Sequence, residues 1–296
     1  MRFGITPLDF ADVLSRILQG DQIDFSRFCY PEIVKNAASA GFVHVEITLD
    51  VLHALPGSLN NDRIAEISEI RKSEELTLSA HLPLWAVEPA SFNERIRKAS
   101  VETCIEAIEL AEGFQPEYYV FHATGALASE FSRLPYPRRS VDLINLSMGS
   151  NASRSTAELL KQTGIDPKRL ALESVEFPLD LTVSMAEETG CSVVLDTGHI
   201  LGGFSETLSL MEALELFRQR LIGLHLHDGF RRKNEDGSML LRDHLPLGSG
   251  DMNIQDFFGA LTRFGFDGPA VFELSMSGAL QSIEVVRKLV PGLFST

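Results

Sequence analysis

Apolar and polar positions along this chain alternate between two periods. Short runs rich in Val, Ile, Leu and aromatics are separated by longer segments whose apolar residues recur at helical spacing. The runs predict strands at Phe3–Thr6, Val43–Thr48, Thr77–Leu82, Tyr118–His122, Leu170–Glu173, Ser192–Asp196, Ile222–His227 and Ala270–Leu274. The segments between them predict helices at Pro31–Ala40, Arg63–Ser73, Asn93–Ala111, Arg154–Gln162, Thr182–Thr189, Thr207–Phe217, Ile254–Phe264 and Leu280–Leu289. Asn93 reads as a helix cap and Pro31 as a first-turn residue, while Gly41, Gly113, Gly190 and Gly265 follow helix ends. Near-continuous apolar strands are buried on both faces, and strict strand–helix alternation predicts that they run parallel. Eight such units predict an α/β fold, a single (β/α)8 TIM barrel over residues 1–296, with its chemistry at the C-terminal strand ends. Longer connections follow the first, fourth and seventh strands, at about residues 8–30, 124–138 and 228–253, and those are the natural substrate-facing segments.

Side chains of metal-ligand type stand where the barrel would put its chemistry. They are His81, His122, Glu173, Asp196 with His199, His225 with His227 and Asp228, and Glu273, joined by Asp243 and His244 from the segment RDHLPLGSGD. A single histidine beside an apolar run is ordinarily a packed core residue. Strands three to eight all ending in such groups is a different pattern, and convergent imidazoles and carboxylates suit a divalent transition metal. Adjacent strands lie ~4.8 Å apart, so Glu173, Asp196, His225 and Glu273 can surround one ion. His81 and His122 can hold a second that Glu173 bridges, and His199 with His244 a third farther out. Glu46, at the end of strand two, reads either as a substrate contact or as filling of the barrel mouth. Glu176 reads as a carboxylate behind a ligand. Trp85 in HLPLWAVEP reads as a pocket wall or as packing. Arg231, Arg232 and Lys233 read as a phosphate contact or a solvated basic loop, and GSG at 248–250 as a turn. His44 and His53 lie off the pattern and carry no assigned role.

Charge narrows the substrate. Acids outnumber bases 41 to 26, a net charge of -15, so duplex nucleic acid is not the expected partner and a small molecule is. Three scattered cysteines without CxxC spacing suit a reducing compartment, with Cys104 and Cys191 as buried small hydrophobes. No stretch has the length of a membrane span and no secretion signal is evident, so the chain reads as soluble and cytoplasmic.

Over essentially the whole barrel, and in order, these residues resemble the xylose-isomerase-like superfamily, the apurinic endonuclease family 2 barrels, which includes endonuclease IV and many sugar isomerases and epimerases. The core shared by both branches corresponds to Glu173, Asp196, His225 and Glu273. The endonuclease branch adds histidines matching His81 in AHLPL, His122 in FHATG, His199 in DTGH and His244 ahead of GSG. The resemblance implies a site for two or three zinc ions that cleaves phosphodiesters. There is one departure: the endonuclease pattern has Asp two residues before the loop histidine, where this chain has Arg242, with Asp243 displaced by one. Asp243, His227 or Asp228 could stand in, or the site could be dinuclear. His227 itself replaces an Asn usual in the endonucleases. HVEITLD around Glu46, LPGSL at 55–59, HLPLWAVEPAS and FHATGALA resemble, more narrowly, the cobamide-remodelling phosphodiesterases, which cleave the nucleotide loop of a cobamide.

The leading expectation is a zinc phosphodiesterase. In it a hydroxide near Glu173 and Glu273 attacks phosphorus in line, while His199 and His244 stabilise the leaving oxygen. The alternative is a sugar isomerase or epimerase with one manganese, cobalt or magnesium ion on the shared four residues. A third reading, a ligand-binding barrel with a vestigial site, sits poorly with so many ionisable groups at one mouth.

Overall fold

The computed structural model describes residues 1–7, 10–20, 22–55, 57–132, 134, 136, 138–204 and 208–294. Eight strands form a closed parallel barrel: β1 (Arg2–Ile5), β2 (His44–Thr48), β3 (Thr77–His81), β4 (Tyr119–Phe121), β5 (Leu170–Glu173), β6 (Ser192–Asp196), β7 (Leu221–His225) and β8 (Pro269–Phe272). Each pairs with its neighbours in sequence, and β1 closes the ring against both β8 and β2. The α/β barrel expected from the alternation is therefore the fold, and the strands lie within two residues of the apolar runs that predicted them.

Residues alternate between two environments along each strand. One set packs outward beneath the helices α1 (Tyr30–Ser39), α2 (Asn61–Ser73), α3 (Glu94–Ala111), α4 (Arg138–Thr163), α5 (Leu179–Thr189), α6 (Leu210–Phe217), α7 (Ile254–Phe264) and α8 (Met276–Leu289). The other set fills the barrel. Tyr118, Val120, Ala171 and Val194 form a small buried cluster of their own, packed with Ile222. Gly223 makes room for it, since a Cβ there would lie 2.6 Å from the Tyr118 hydroxyl. Above this plug the same inward-facing set continues as His81, Glu173, Asp196 and His225. Asp196 stands opposite His225, and Thr48 opposite His81, so register fixes the height of the site.

Several expectations change. Asn93 caps α3 and Pro31 lies in the first turn of α1, but Gly113 does not end a helix in left-handed geometry; Gln115 does, at φ 55°. Helix α4 is far longer than Arg154–Gln162, because exposed Leu143 and Leu146 blur its apolar stripe. The sixth helix begins at Leu210 behind a Ser209–Glu212 capping box; Thr207, where it was expected to start, lies outside the described residues, as does Pro56 of LPGSL. After β1 the chain adds a helix, Phe10–Ile17, and a short hairpin, where only a loop was expected. Cys104 and Cys191 are fully buried, and burial pushes their thiols up to about 12 and about 11. Among the described residues no helix is long and apolar enough to cross a membrane.

The connection after β7 is an antiparallel hairpin, Asp228–Lys233 with Met239–Leu245, not an irregular loop. Asp228 anchors it. Its buried carboxylate accepts backbone N–H groups from Gly229 and Met252 on Oδ1, and from Gly248 and Gly250 on Oδ2, at 2.9–3.0 Å. The GSG segment is thus the turn it was expected to be, tied to the root of the hairpin. Asp228 is spent on backbone, so it does not stand in as a metal or substrate ligand. Replacing it by Ala strands four buried donors, and Asp228→Ala should cost about 3–5 kcal/mol in urea unfolding. A loss below about 1 kcal/mol would show that the loop holds itself.

Candidate metal centre

The strand ends bring the expected side chains together. His225 Nδ1 lies 3.1 Å from Glu173 Oε1, 3.4 Å from Glu273 Oε1 and 4.0 Å from Asp196 Oδ2. On the other side of Glu173, Oε2 faces His81 Nε2 at 3.2 Å and His122 Nε2 at 2.7 Å. At the rim, Asp243 Oδ2 lies 3.5 Å from His199 Nε2 and 3.3 Å from His244 Nδ1, and His244 Nε2 is 3.6 Å from Glu273 Oε2. Among the described residues four compact donor sets result: Glu173–Asp196–His225–Glu273, His81–His122–Glu173, His199–Asp243–His244 and an overlapping His227–His244–Glu273, whose His227 already serves Asp196 and the His244 backbone. In each, one ligand atom per residue falls within 4.8 Å of the others.

At the departure marked by Arg242, it is Asp243 that reaches the rim histidines. Consecutive strand residues face opposite ways, so Arg242 points outward where it pairs with Phe230, and Asp243 points toward His199. His244 then adopts φ 51°, a left-handed conformation uncommon outside glycine. That break in alternation lets neighbouring Asp243 and His244 serve the same set.

The imidazoles are oriented by what stands behind them. His81 Nδ1 donates to the Leu82 carbonyl at 2.9 Å, which leaves Nε2 for the site. His225 Nε2 donates to Glu46 Oε1 at 2.9 Å. Glu46 also accepts from Ser79 at 2.8 Å, and Ser79 Oγ is 3.0 Å from His44 Nε2. Glu46 is therefore a fully buried carboxylate that holds a ligand-type histidine, and it does not line the mouth. Ser79 and His44 extend that chain. Neither was singled out from sequence, although both face inward by the same period of two as His81 and Glu46.

His227 has a related task. Its Nδ1 accepts the His244 N–H at 2.8 Å, so its proton sits on Nε2 and is donated to Asp196 Oδ2 at 2.9 Å. Asp196 Oδ1 meanwhile caps the short helix Thr197–Gly202 by accepting the His199 N–H at 2.7 Å. Gly198 gives His227 its space, since a Cβ there would fall 2.0 Å from the ring. Glu176 lines a cleft with His122 and His199. Arg231, Arg232 and Lys233 project from the hairpin, Arg232 paired with Asp251.

Electrostatics fit a cation. Burial pushes Glu173 up, but His225 and His122 outweigh it and hold the carboxyl well below the usual range. Burial likewise opposes ionisation of Glu46, Asp196 and Glu273, yet neighbouring histidines keep all three low, Glu46 at about 2. His225 Nδ1 and His199 Nδ1 are buried and make no hydrogen bond. Despite its burial, the same carboxylates raise His225 well above its ordinary value, and an imidazole held among three ionised carboxylates is a donor set in which a divalent ion could replace the proton.

Residues 34–289 match the profile of the xylose isomerase-like TIM barrel family. The chain belongs to that family. It is 24% identical over 242 residues to an uncharacterised protein of Methanocaldococcus jannaschii, covering 78% of this chain and 75% of that one. Among solved structures it is similar to a D-tagatose 3-epimerase-like protein, with a TM-score of 0.69, 21% identity and 99% and 98% of the two chains covered. It is also similar to the 3-keto-D-glucoside 4-epimerase of E. coli (TM-score 0.66, 17% identity, 97% and 99% covered). Endonuclease IV from Thermus thermophilus matches with a TM-score of 0.66, 16% identity and 99% and 100% covered. Members of this superfamily are enzymes that bind divalent metals.

In the metal-free chain, burial lowers His81, but the hydrogen bond and charge of Glu173 outweigh it and raise the group to about 9. His244 is raised too, by Asp243 and Glu273 against its own burial. Both lie above the ordinary 6.5. Their contribution to stability is thus complete below that value and is lost as pH rises through about 9 for His81 and about 11 for His244. The depressed carboxylates act oppositely, losing their contribution as pH falls through their lowered values. A divalent ion bound by these imidazoles at pH 7, zinc for example, would have to expel their protons. Calorimetry in two buffers of different ionisation enthalpy should report release of at least about one proton per chain. Uptake without proton release would contradict these protonation states.

Proposed function

We propose that this chain is a metal-dependent phosphodiesterase acting on a small phosphodiester. One observation carries the reading: the two oxygens of Glu173 face different donor sets, His225 on one side and His81 with His122 on the other. A carboxylate so placed can bridge two ions, an arrangement suited to in-line displacement at phosphorus. A one-ion isomerase has no use for His81 and His122. The third set, His199–Asp243–His244, extends the capacity to three ions, with zinc the best match to these donors and manganese or cobalt also compatible.

When bound, such ions supply positive charge and a nucleophile available near neutral pH. The chain's own groups do the rest. Glu173 and Glu273 orient the attacking water, and His81 and His122 would hold the second ion on the far side of Glu173. His199 and His244, at the more open rim, meet the departing oxygen. One P–O ester bond breaks, water oxygen takes its place on phosphorus, and the departing alkoxide takes a proton, leaving a monoester and an alcohol. The segments around Glu46, Trp85 and His122 support a cobamide nucleotide loop as the diester, and the net charge of -15 supports a small substrate over duplex nucleic acid.

A second reading, sugar epimerisation or isomerisation with one ion, is favoured by the sugar epimerases that share the fold and by Glu173–Asp196–His225–Glu273 as a self-sufficient set. Elemental analysis of natively purified protein separates the two readings: two or three zinc ions for the diesterase, a single manganese or cobalt for the isomerase. Glu173→Gln should lower diester turnover about 1000-fold or more with the barrel still folded by circular dichroism. His122→Ala should remove one ion and cost diester turnover about 100-fold, whereas an isomerase would tolerate it at modest cost. Full activity of Glu173→Gln would sink the scheme.

A further inference from the structure

Two cavities open beside the metal centre, and they differ in chemistry. The larger, about 750 Å³, is bounded by His244 and Glu273 at the centre. Its walls are apolar: Val13, Leu14 and Ile17 of the helix Phe10–Ile17, with Val51 and Leu55. The smaller, about 310 Å³, is bounded by His122 and His199 and includes Thr124, Ser129 and Glu176. Trp85 lines both. This residue is 65% exposed, yet its backbone N–H is tied to Asp50 Oδ1 at 2.9 Å and that of Leu84 to the same oxygen at 3.0 Å. The ring is thus kept at the surface by a buried anchor. Ile23 and Phe25, 60% and 46% exposed, line the large cavity as well. Large apolar side chains left wet around one cavity mark a place that a ligand covers.

We propose that the two cavities take the two unlike arms of the substrate: a bulky, mainly apolar, ring-bearing arm in the large chamber and a small polar arm in the cleft. The proposal rests on the phosphodiesterase reading, in which the phosphorus sits at the metal centre where the cavities meet. A free sugar fits the chamber poorly. Away from His244 and Glu273 at the centre, its hydroxyls would face walls whose polar groups are few, chiefly Thr6, Thr48 and Ser275, and most would go unpaired. The helix Phe10–Ile17 and the hairpin after it supply much of the apolar wall, which gives the excursion after β1 a function in specificity. Trp85, between chamber and cleft, is placed to cover a flat ring.

The test uses the zinc-loaded full chain and two independent readouts. Calorimetry measures binding of methyl, decyl and naphthyl phosphate, the monoesters that stand for product, while p-nitrophenol release from methyl p-nitrophenyl phosphate reports hydrolysis. Naphthyl phosphate should bind on the order of 100-fold more tightly than methyl phosphate, from the ring area removed from water. The difference should carry a negative heat-capacity change. Leu14→Asp should bring the ratio to within about 5-fold. Trp85→Ala, at an exposed position whose loss leaves the core intact, should lower it about tenfold. Decyl phosphate binding more tightly than naphthyl would replace a ring by a chain and overturn the ring assignment. Equal binding of methyl and naphthyl phosphate, or full preference in both variants, would overturn the chamber assignment while nitrophenol release continued. A retained naphthyl preference without any release would instead overturn the hydrolase reading and leave the chamber as an apolar binding site.

Discussion

Four ionised carboxylates crowd together at the C-terminal end of this barrel's interior, and most of what surrounds them follows from that. Glu46, Glu173 and Asp196 are at most 4% exposed, and Glu273 stands beside them. Burying one such charge without compensation costs several kcal/mol. The chain answers with imidazoles. Glu46 meets His225, Glu173 meets His81, His122 and His225, Asp196 meets His227, and Glu273 meets His225 and His244. Each pair spans different strands or a strand and the hairpin, so the charges can be matched only while the strands keep register. A one-residue slip would turn His81 or Asp196 into the apolar layer under the helices. The polar mouth therefore specifies the barrel's alignment as strongly as the apolar interior fills it.

Chemically similar residues at the strand ends do different work, and geometry decides which. Asp196 and Asp228 both follow apolar runs, yet Asp196 enters the donor set while Asp228 spends both oxygens on four backbone N–H groups. His225 and His227 are two residues apart and face the same way. His225 turns Nδ1 toward three carboxylates. His227 has both nitrogens committed, one to Asp196 and one to the His244 backbone. The hairpin root, the left-handed turn at His244 and the orientation of Asp196 are thus one connected arrangement.

This division explains what the sequence could convey. Strand ends and the eight main ligand-type residues were legible, because a period of two fixes which residues face the interior and a parallel barrel fixes which end carries the chemistry. The hairpin after β7 was not. Its run from Asp228 to Lys233 is charged and glycine-bearing, and its pairing partner lies beyond a turn with no apolar alternation to reveal it. Asp243 read as displaced for the same reason, since its inward position depends on the hairpin's register and on φ 51° at His244. Glu46 was ambiguous because only contact distances separate a carboxylate that meets substrate from one that holds a histidine. The helix Phe10–Ile17 has only 8 residues, and an apolar stripe over so short a run does not by itself distinguish a helix from a loop.

The choice between hydrolysis and isomerisation comes down to which carboxylate is free to move a proton. Isomerisation beside a carbonyl needs a base that takes a proton from carbon and returns it, so one carboxylate oxygen must be open to substrate. Both oxygens of Glu173 are committed to imidazoles on opposite sides, and those of Glu273 face His225 and His244. A carbon-acid mechanism would have to break one of these pairings in each turnover, inside a site where an unpaired charge is costly. The proposed phosphodiester hydrolysis asks for no proton transfer to and from carbon. On that reading Glu173, set between His225 on one side and His81 with His122 on the other, keeps its position throughout, and the rigidity that strands three to eight impose works for the chemistry.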